Sequence, residues 1–101
     1  MNKTFGVRIA GWFSDRKLIE NSNPAKQMEK LLEEVGELAG AIANNNTEAM
    51  KDAIGDCCVV LAGMAAQENM LLEECCEAAW AEIKDRKGYL DSNGVFVKEE
   101  E

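Results

Sequence analysis

At 101 residues the chain is sized for one domain, and 47% hydrophobic with 30% charged residues is an ordinary globular balance. A net charge of −8 argues against holding polymeric DNA or RNA on a broad basic surface. The absence of histidine excludes histidine triads, histidine zinc sites and imidazole acid–base chemistry, leaving carboxylates, lysines, cysteines, tyrosine or metal-bound water as bases.

Phe5, Ile9, Trp12, Phe13 and Leu18 recur at helical spacing and predict a first helix over residues 4–19. Asn23 before Pro24 is a strong helix start: a capping side chain, then a proline whose missing N–H costs nothing. The second helix is expected from Pro24 to Ala43. The cluster "ANNNTEA" is a turn that caps a third helix from Thr47 to Gln67. A fourth helix is expected from Leu71 to Arg86, ended by Gly88. The tail holds a Ser92-Asn93-Gly94 turn, a β-like run from Val95 to Lys98, and frayed terminal acids. The expected fold is all-α: a four-helix chain packing into an oligomeric helical bundle with a short β-like C-terminal tail, one domain spanning 1–101.

Cys57-Cys58 and Cys75-Cys76 are adjacent pairs, and neighbours on a helix point about 100° apart, a poor arrangement for chelating one ion. They read as reduced core cysteines. With no signal peptide and no run as long as a membrane span, a cytoplasmic protein without a membrane partner is expected.

From Ala53 to Ala66 the third helix carries Asp56 and two cysteines as its ionisable residues. A helix apolar nearly all round needs cover on several sides, more than this chain has helices to supply, so a subunit interface is expected. Gly36, Gly40, Gly55 and Gly63 each cost on the order of 1 kcal/mol relative to alanine in a helix interior, and close helix–helix approach is the expected compensation.

On the second helix Leu31, Val35, Leu38, Ala39 and Ile42 form one apolar face. Glu34 and Glu37 run along its border with Gln27, Lys30 and Ala41, and Glu33 lies further toward solvent. On the third helix Asp52 and Asp56 stack four residues apart beside Ala49, Ala53, Val59, Val60 and Gly63. A buried unpaired carboxylate costs several kcal/mol or becomes neutral. Two helices that bring acids to one packing face need a shared cation, and all-oxygen ligation points to Mg²⁺ or Mn²⁺. Glu33, Glu34 and Glu37 are equally consistent with a solvated face paired to lysines.

These residues resemble the MazG-type all-α nucleoside triphosphate pyrophosphohydrolases, particularly small phage-type members. The family pattern is EExxE on one helix and ExxD on the next. "EEVGE" at 33–37 matches the first part, and "DAIGD" at 52–56 supplies the final aspartate but carries Ala53 where the family has glutamate. "KQMEKLLEEVGEL", "KDAIGD" and "EIKDRKG…GVFVK" extend the likeness over roughly Trp12 to Lys98. The resemblance implies cleavage of a nucleoside triphosphate to monophosphate and pyrophosphate by a homodimer or homotetramer using Mg²⁺, with Mn²⁺ as a substitute. It implies Glu34, Glu37 and Asp56 as metal ligands, with Asp52 added by inference, and Glu33 or Glu34 as general base. Lys30, Lys84, Arg86 and Lys87 are candidate phosphate contacts, though basic residues at the end of a helix also complement its dipole. Trp12, Phe13 and Trp80 are candidates for the base slot, each more often a core residue. Alternatives are a related metal-dependent hydrolase acting on a deoxyuridine nucleotide or phosphoribosyl-ATP, and an acidic helical interaction protein without catalysis.

Overall fold

The computed structural model describes residues 2–99. The element order is α1 (Phe5–Asp15), α2 (Leu18–Asn21), α3 (Pro24–Ala43), α4 (Thr47–Gln67), α5 (Leu72–Ile83), β1 (Gly88–Leu90) and β2 (Phe96–Lys98). The architecture is all-α with a small antiparallel hairpin, in which Gly88 pairs with Lys98 and Leu90 with Phe96. No helix among the described residues is long and apolar enough to cross a membrane.

α3 and α4 begin and end where their caps dictate. Asn23 Oδ1 accepts the Lys26 N–H at 2.9 Å, and Asn46 Oδ1 accepts the Ala49 N–H at 3.1 Å. Each helix closes with an asparagine in the left-handed region, Asn45 (φ 53°) after α3 and Asn69 (φ 59°) after α4. The N–H groups of Asn46 and Met70 then return to the carbonyls of Ala41 and Ala65, five residues back, which satisfies the last turn.

The first and last helices are shorter than expected. The 4–19 helix breaks after Asp15 because Lys17 adopts a left-handed conformation (φ 61°), and the chain restarts as α2. α5 stops at Ile83 rather than Arg86. Gly88 opens β1 instead of capping that helix: a Cβ there would strike the Phe96 ring and the Val97 carbonyl, so only glycine lets the strands meet.

α4 is the central element, packed against α3, α1, α2 and α5. Its small buried residues Ala53, Ala62, Gly63 and Ala65 let neighbours approach closely, and Val60 and Phe13 fill the remaining space. Of the four interior glycines, Gly63 alone meets the expected close contact, a Cβ there running into the Phe13 ring; positions 36, 40 and 55 face open space. The apolar face of α3 also differs from expectation. The helix buries Glu34 and Ala41 and half-buries Gln27, Leu31 and Leu38. Val35 and Ile42 remain 47% and 54% exposed, so the expected border stripe is the packed one. The cause lies in α4, whose small-residue surface admits the Glu34 side of α3 and leaves the Met28–Leu32–Val35–Ile42 side uncovered.

α1 is tied to α5 by a carboxylate. Glu73 Oε2 accepts the Gly6 N–H at 3.0 Å and Oε1 accepts the Thr4 hydroxyl at 3.2 Å, satisfying a free donor of the first turn of α1. A Cβ on Gly6 would collide with the carboxylate, so a larger residue there would push Glu73 aside. The Gly6 N–H holds the Glu73 carboxyl below its ordinary range. The contribution is therefore present above the unfolded carboxylate value and is lost as pH falls through the lower folded value. Glu73→Gln is expected to melt below wild type at pH 7, and thermal melts at pH 3 should show that gap closing.

Candidate metal centre

α3 and α4 cross so that their acids meet. Carboxylate oxygens of Glu33, Glu34 and Glu37 lie within 4.8 Å of one another. Glu34 is only 6% exposed, and its Oε2 is buried without a hydrogen-bond partner. Lys30 Nζ stands 3.4 Å from Glu34 Oε1 and 3.5 Å from Glu33 Oε1. From α4, Asp56 is half-buried and faces Glu34. Burial pushes its carboxyl above the ordinary range, and the charges of Asp52 and Glu34 add to the shift. Contact with Glu34 likewise raises Glu37. The neighbouring Cys57 thiol is also pushed up, by burial first and Glu34 second.

Such an arrangement is costly without a cation. Carboxylates facing each other offer acceptors and no donor, and the charge of Glu34 favours the protonated form of Asp56 and Glu37. The orphaned Glu34 oxygen, an all-oxygen donor set and two helices converging at one point fit a hard divalent cation such as Mg²⁺ or Mn²⁺. Asp52 is exposed but near enough to act on Asp56, while Ala53 beside it is buried, 3% exposed. The position that carries glutamate in the family motif is thus an alanine packed in the core, and the shorter acid stands one residue round the helix.

An apolar pocket of about 250 Å³ adjoins the acids, lined by Trp12, Phe13, Leu18, Gln27, Lys30 and Val60, together with Val59. Val59 also lines the shallow pocket that holds Asp52 and Asp56. Lys30 and Val59 therefore join an aromatic-walled slot to the carboxylates. The candidate aromatics separate here. Phe13 is core at 3% exposure, Trp12 is 44% exposed on the slot, and Trp80 is 57% exposed on α5 away from it. Two residues of this region were not among the sequence candidates. Arg16 sits with its guanidinium 4.0 Å from the Trp12 ring centroid, a pairing signalled only by their four-residue spacing. Gln27 lines the slot while donating to Ser22 Oγ at 3.1 Å.

The C-terminal cations stand apart from the acids within one chain. Neither α5 nor the hairpin packs against α3, because α5 lies on α4 and α1. Lys84, Arg86 and Lys87 are not brought to the carboxylates within one chain. Lys84 is the C-cap of α5; Arg86 pairs with Glu82 at 3.2 Å, and Arg86 and Lys87 line a separate polar cleft with Asp85 and Glu99.

Residues 22–90 match the family model of the MazG nucleotide pyrophosphohydrolase domain. The chain belongs to the MazG family. MazG-family domains are metal-dependent, in keeping with the acidic cluster on α3. The matched stretch holds α3, α4, α5 and β1, and leaves α1, α2 and β2 outside. The chain is also 47% identical over 62 residues to an uncharacterized 18.2 kDa protein from the rep-hol intergenic region of Haemophilus phage HP1 (strain HP1c1). That alignment covers 61% of this chain and 38% of the relative, so the chain spans well under half of that protein's length. No solved structure matches the chain.

Proposed function

We propose that this MazG domain is a nucleotide pyrophosphohydrolase that uses Mg²⁺, or Mn²⁺ in its place, to cleave a nucleoside triphosphate into monophosphate and pyrophosphate. The observation that carries this reading is the buried, unpartnered oxygen of Glu34 at the point where Glu37 and Asp56 converge. Glu34, Glu37 and Asp56 would hold the ion, with Asp52 completing the set from the exposed side. The ion supplies positive charge against phosphate oxygens and makes a water more acidic.

The chain's own residues do the rest. Glu33 is exposed at the rim beside Lys30, so it takes the proton of the attacking water, while buried Glu34 is committed inward. The water oxygen bonds to the α-phosphorus as the bond to the α–β bridging oxygen breaks, and pyrophosphate leaves with that electron pair. Lys30 stands between acids and slot, where its ammonium meets phosphate charge. Trp12 walls the slot that receives the base, its ring polarised by Arg16. The work on free nucleotides and the four free thiols suit the cytoplasm.

A second copy of the chain is part of this reading. Met28, Leu32, Val35 and Ile42 on α3 lie at spacings of four, three and seven, all exposed, and Ile54 and Leu61 on α4 are exposed as well. That spacing is the seam of helix-on-helix packing, so a homodimer, or a homotetramer built from it, covers both. Leu32→Glu is expected to shift the protein to monomer in size-exclusion chromatography with light scattering.

The deciding assay offers all common ribo- and deoxyribonucleoside triphosphates with Mg²⁺ and identifies both products. Monophosphate plus pyrophosphate supports the proposal. Diphosphate plus orthophosphate places the cut at the wrong bond. Turnover confined to a deoxyuridine nucleotide or phosphoribosyl-ATP moves the chain to the related hydrolase class. Isothermal titration with Mg²⁺ should show one binding event that Glu37→Gln and Asp56→Asn abolish. Because Glu34 raises the Glu37 carboxyl and burial raises that of Asp56, affinity should weaken as pH falls toward the carboxylate range, with proton release on binding.

A further inference from the structure

One wall of the aromatic slot comes from the part of the chain outside the MazG match. Trp12 and Phe13 of α1 and Leu18 of α2 face Gln27 and Lys30 of α3 across it. Among the described residues α1 does not pack on α3, so the slot is the gap between them. Its width depends on where α1 and α2 are seated on α4. Phe13 makes one seat against Gly63. The other seat is polar. Gln67, the last residue of α4, donates from Nε2 to the Leu18 carbonyl at 3.0 Å.

That bond has a cost. With the amide nitrogen turned to Leu18, Gln67 Oε1 is buried without a hydrogen-bond partner among the described residues. A methionine would fill similar space without an orphaned acceptor, so packing alone does not call for an amide here. The bond falls one residue after Lys17, whose left-handed conformation (φ 61°) separates α1 from α2. Lysine is disfavoured in that conformation, so its surroundings must hold the corner. The corner in turn places Arg16, the C-cap of α1, whose guanidinium lies 4.0 Å from the Trp12 ring centroid. A single line of contacts thus runs from Gln67 through Leu18, Lys17 and Arg16 to Trp12.

We propose that Gln67 is a positioning residue for the nucleotide. By holding the Leu18 carbonyl it fixes the corner at Lys17, and with it the wall of Trp12 and Leu18 against which the base lies. This rests on the nucleotide reading above for the ligand, but the seating of the wall is testable without turnover. The bond acts on where the base sits and not on the phosphorus. Its loss therefore weakens binding and leaves the chemical step unchanged.

The test uses a Trp80→Phe background, in which Trp12 is the only tryptophan. Gln67→Met should raise KM for the nucleotide about tenfold, the order of one base-stacking contact, with kcat within about twofold. Trp12 emission should shift to the red, and its quenching by acrylamide should increase. Adding Lys17→Asn, which favours the left-handed corner by itself, should bring KM and emission back toward the background protein. Lys17 is exposed, so Lys17→Val acts on the corner alone. Its β-branched side chain resists the left-handed conformation and should reproduce the Gln67→Met pattern with Gln67 intact, which keeps the test open if Gln67→Met does not fold. Unchanged KM and emission in Gln67→Met, or in Lys17→Val, would overturn the proposal. So would a defect in Gln67→Met that Lys17→Asn does not reverse, or a fall in kcat at unchanged KM. A background protein without nucleotide turnover would instead defeat the function reading, and the emission of Trp12, with its reversal by Lys17→Asn, would decide the wall.

Discussion

Glu34→Gln is expected to lower pyrophosphate release at least about 10³-fold, ~4 kcal/mol of barrier, while raising the stability of the metal-free protein. Both effects follow from one buried carboxylate. Glu34 is 6% exposed, one of its oxygens is orphaned, and Asp56 and Glu37 press negative charge against it, with Lys30 in partial compensation. A neutral amide keeps the shape, supplies a donor to those neighbours and removes the repulsion, a gain of about 1 kcal/mol without metal. Saturating Mg²⁺ should reverse the order, because the ion stabilises the wild type by mass action and has lost a ligand in the variant. Melting curves with and without Mg²⁺, beside initial rates, check both. A variant less stable than wild type without metal would mean that Glu34 serves the fold rather than the ion.

Phe13→Ala is expected to cost about 3–5 kcal/mol, the largest stability effect of any single truncation in this chain. Phe13 is the one aromatic core residue, 3% exposed, and its ring lies against Gly63 at the contact of α1 with α4. The neighbouring core residues are mostly alanines, which cannot swing in to fill the cavity. The reverse change at the same contact, Gly63→Ala, drives a methyl into the ring and is expected to cost about 1–3 kcal/mol. Urea unfolding at fixed protein concentration measures both, since association would otherwise shift the midpoint. Phe13 also lines the slot beside Trp12, so its loss should raise KM for nucleotide in the surviving folded protein.

Local chemistry was legible from the residues alone. Asn23-Pro24 and Asn46 set the starts of α3 and α4, and both helices run over the expected residues because caps and turns act within a few positions. The break after Asp15 was not legible: Lys17 takes a left-handed conformation that glycine or asparagine would have signalled and lysine does not. Strand β1 was missed for its length, its pairing decided by contact of Gly88 with Phe96 across the turn.

Faces were harder than boundaries. Helical spacing put Leu31, Val35 and Ile42 on one apolar side of α3 but could not say which part of it meets α4. The small residues of α4 decide that, and they select the side carrying Glu34. The meeting of Glu34 with Asp56 was legible because each lies at the edge of a stripe that must pack. The separation of Lys84, Arg86 and Lys87 from them was not, because it depends on α5 choosing α4 and α1 over α3.

The account stands most directly on where a divalent ion sits. Crystals grown with Mn²⁺ and measured at its absorption edge should give one anomalous peak touching Glu34 and Glu37 of α3 and Asp56 of α4. A map without a peak there, or with Mn²⁺ held by exposed glutamates of α3 and Asp56 bonded elsewhere, would contradict it.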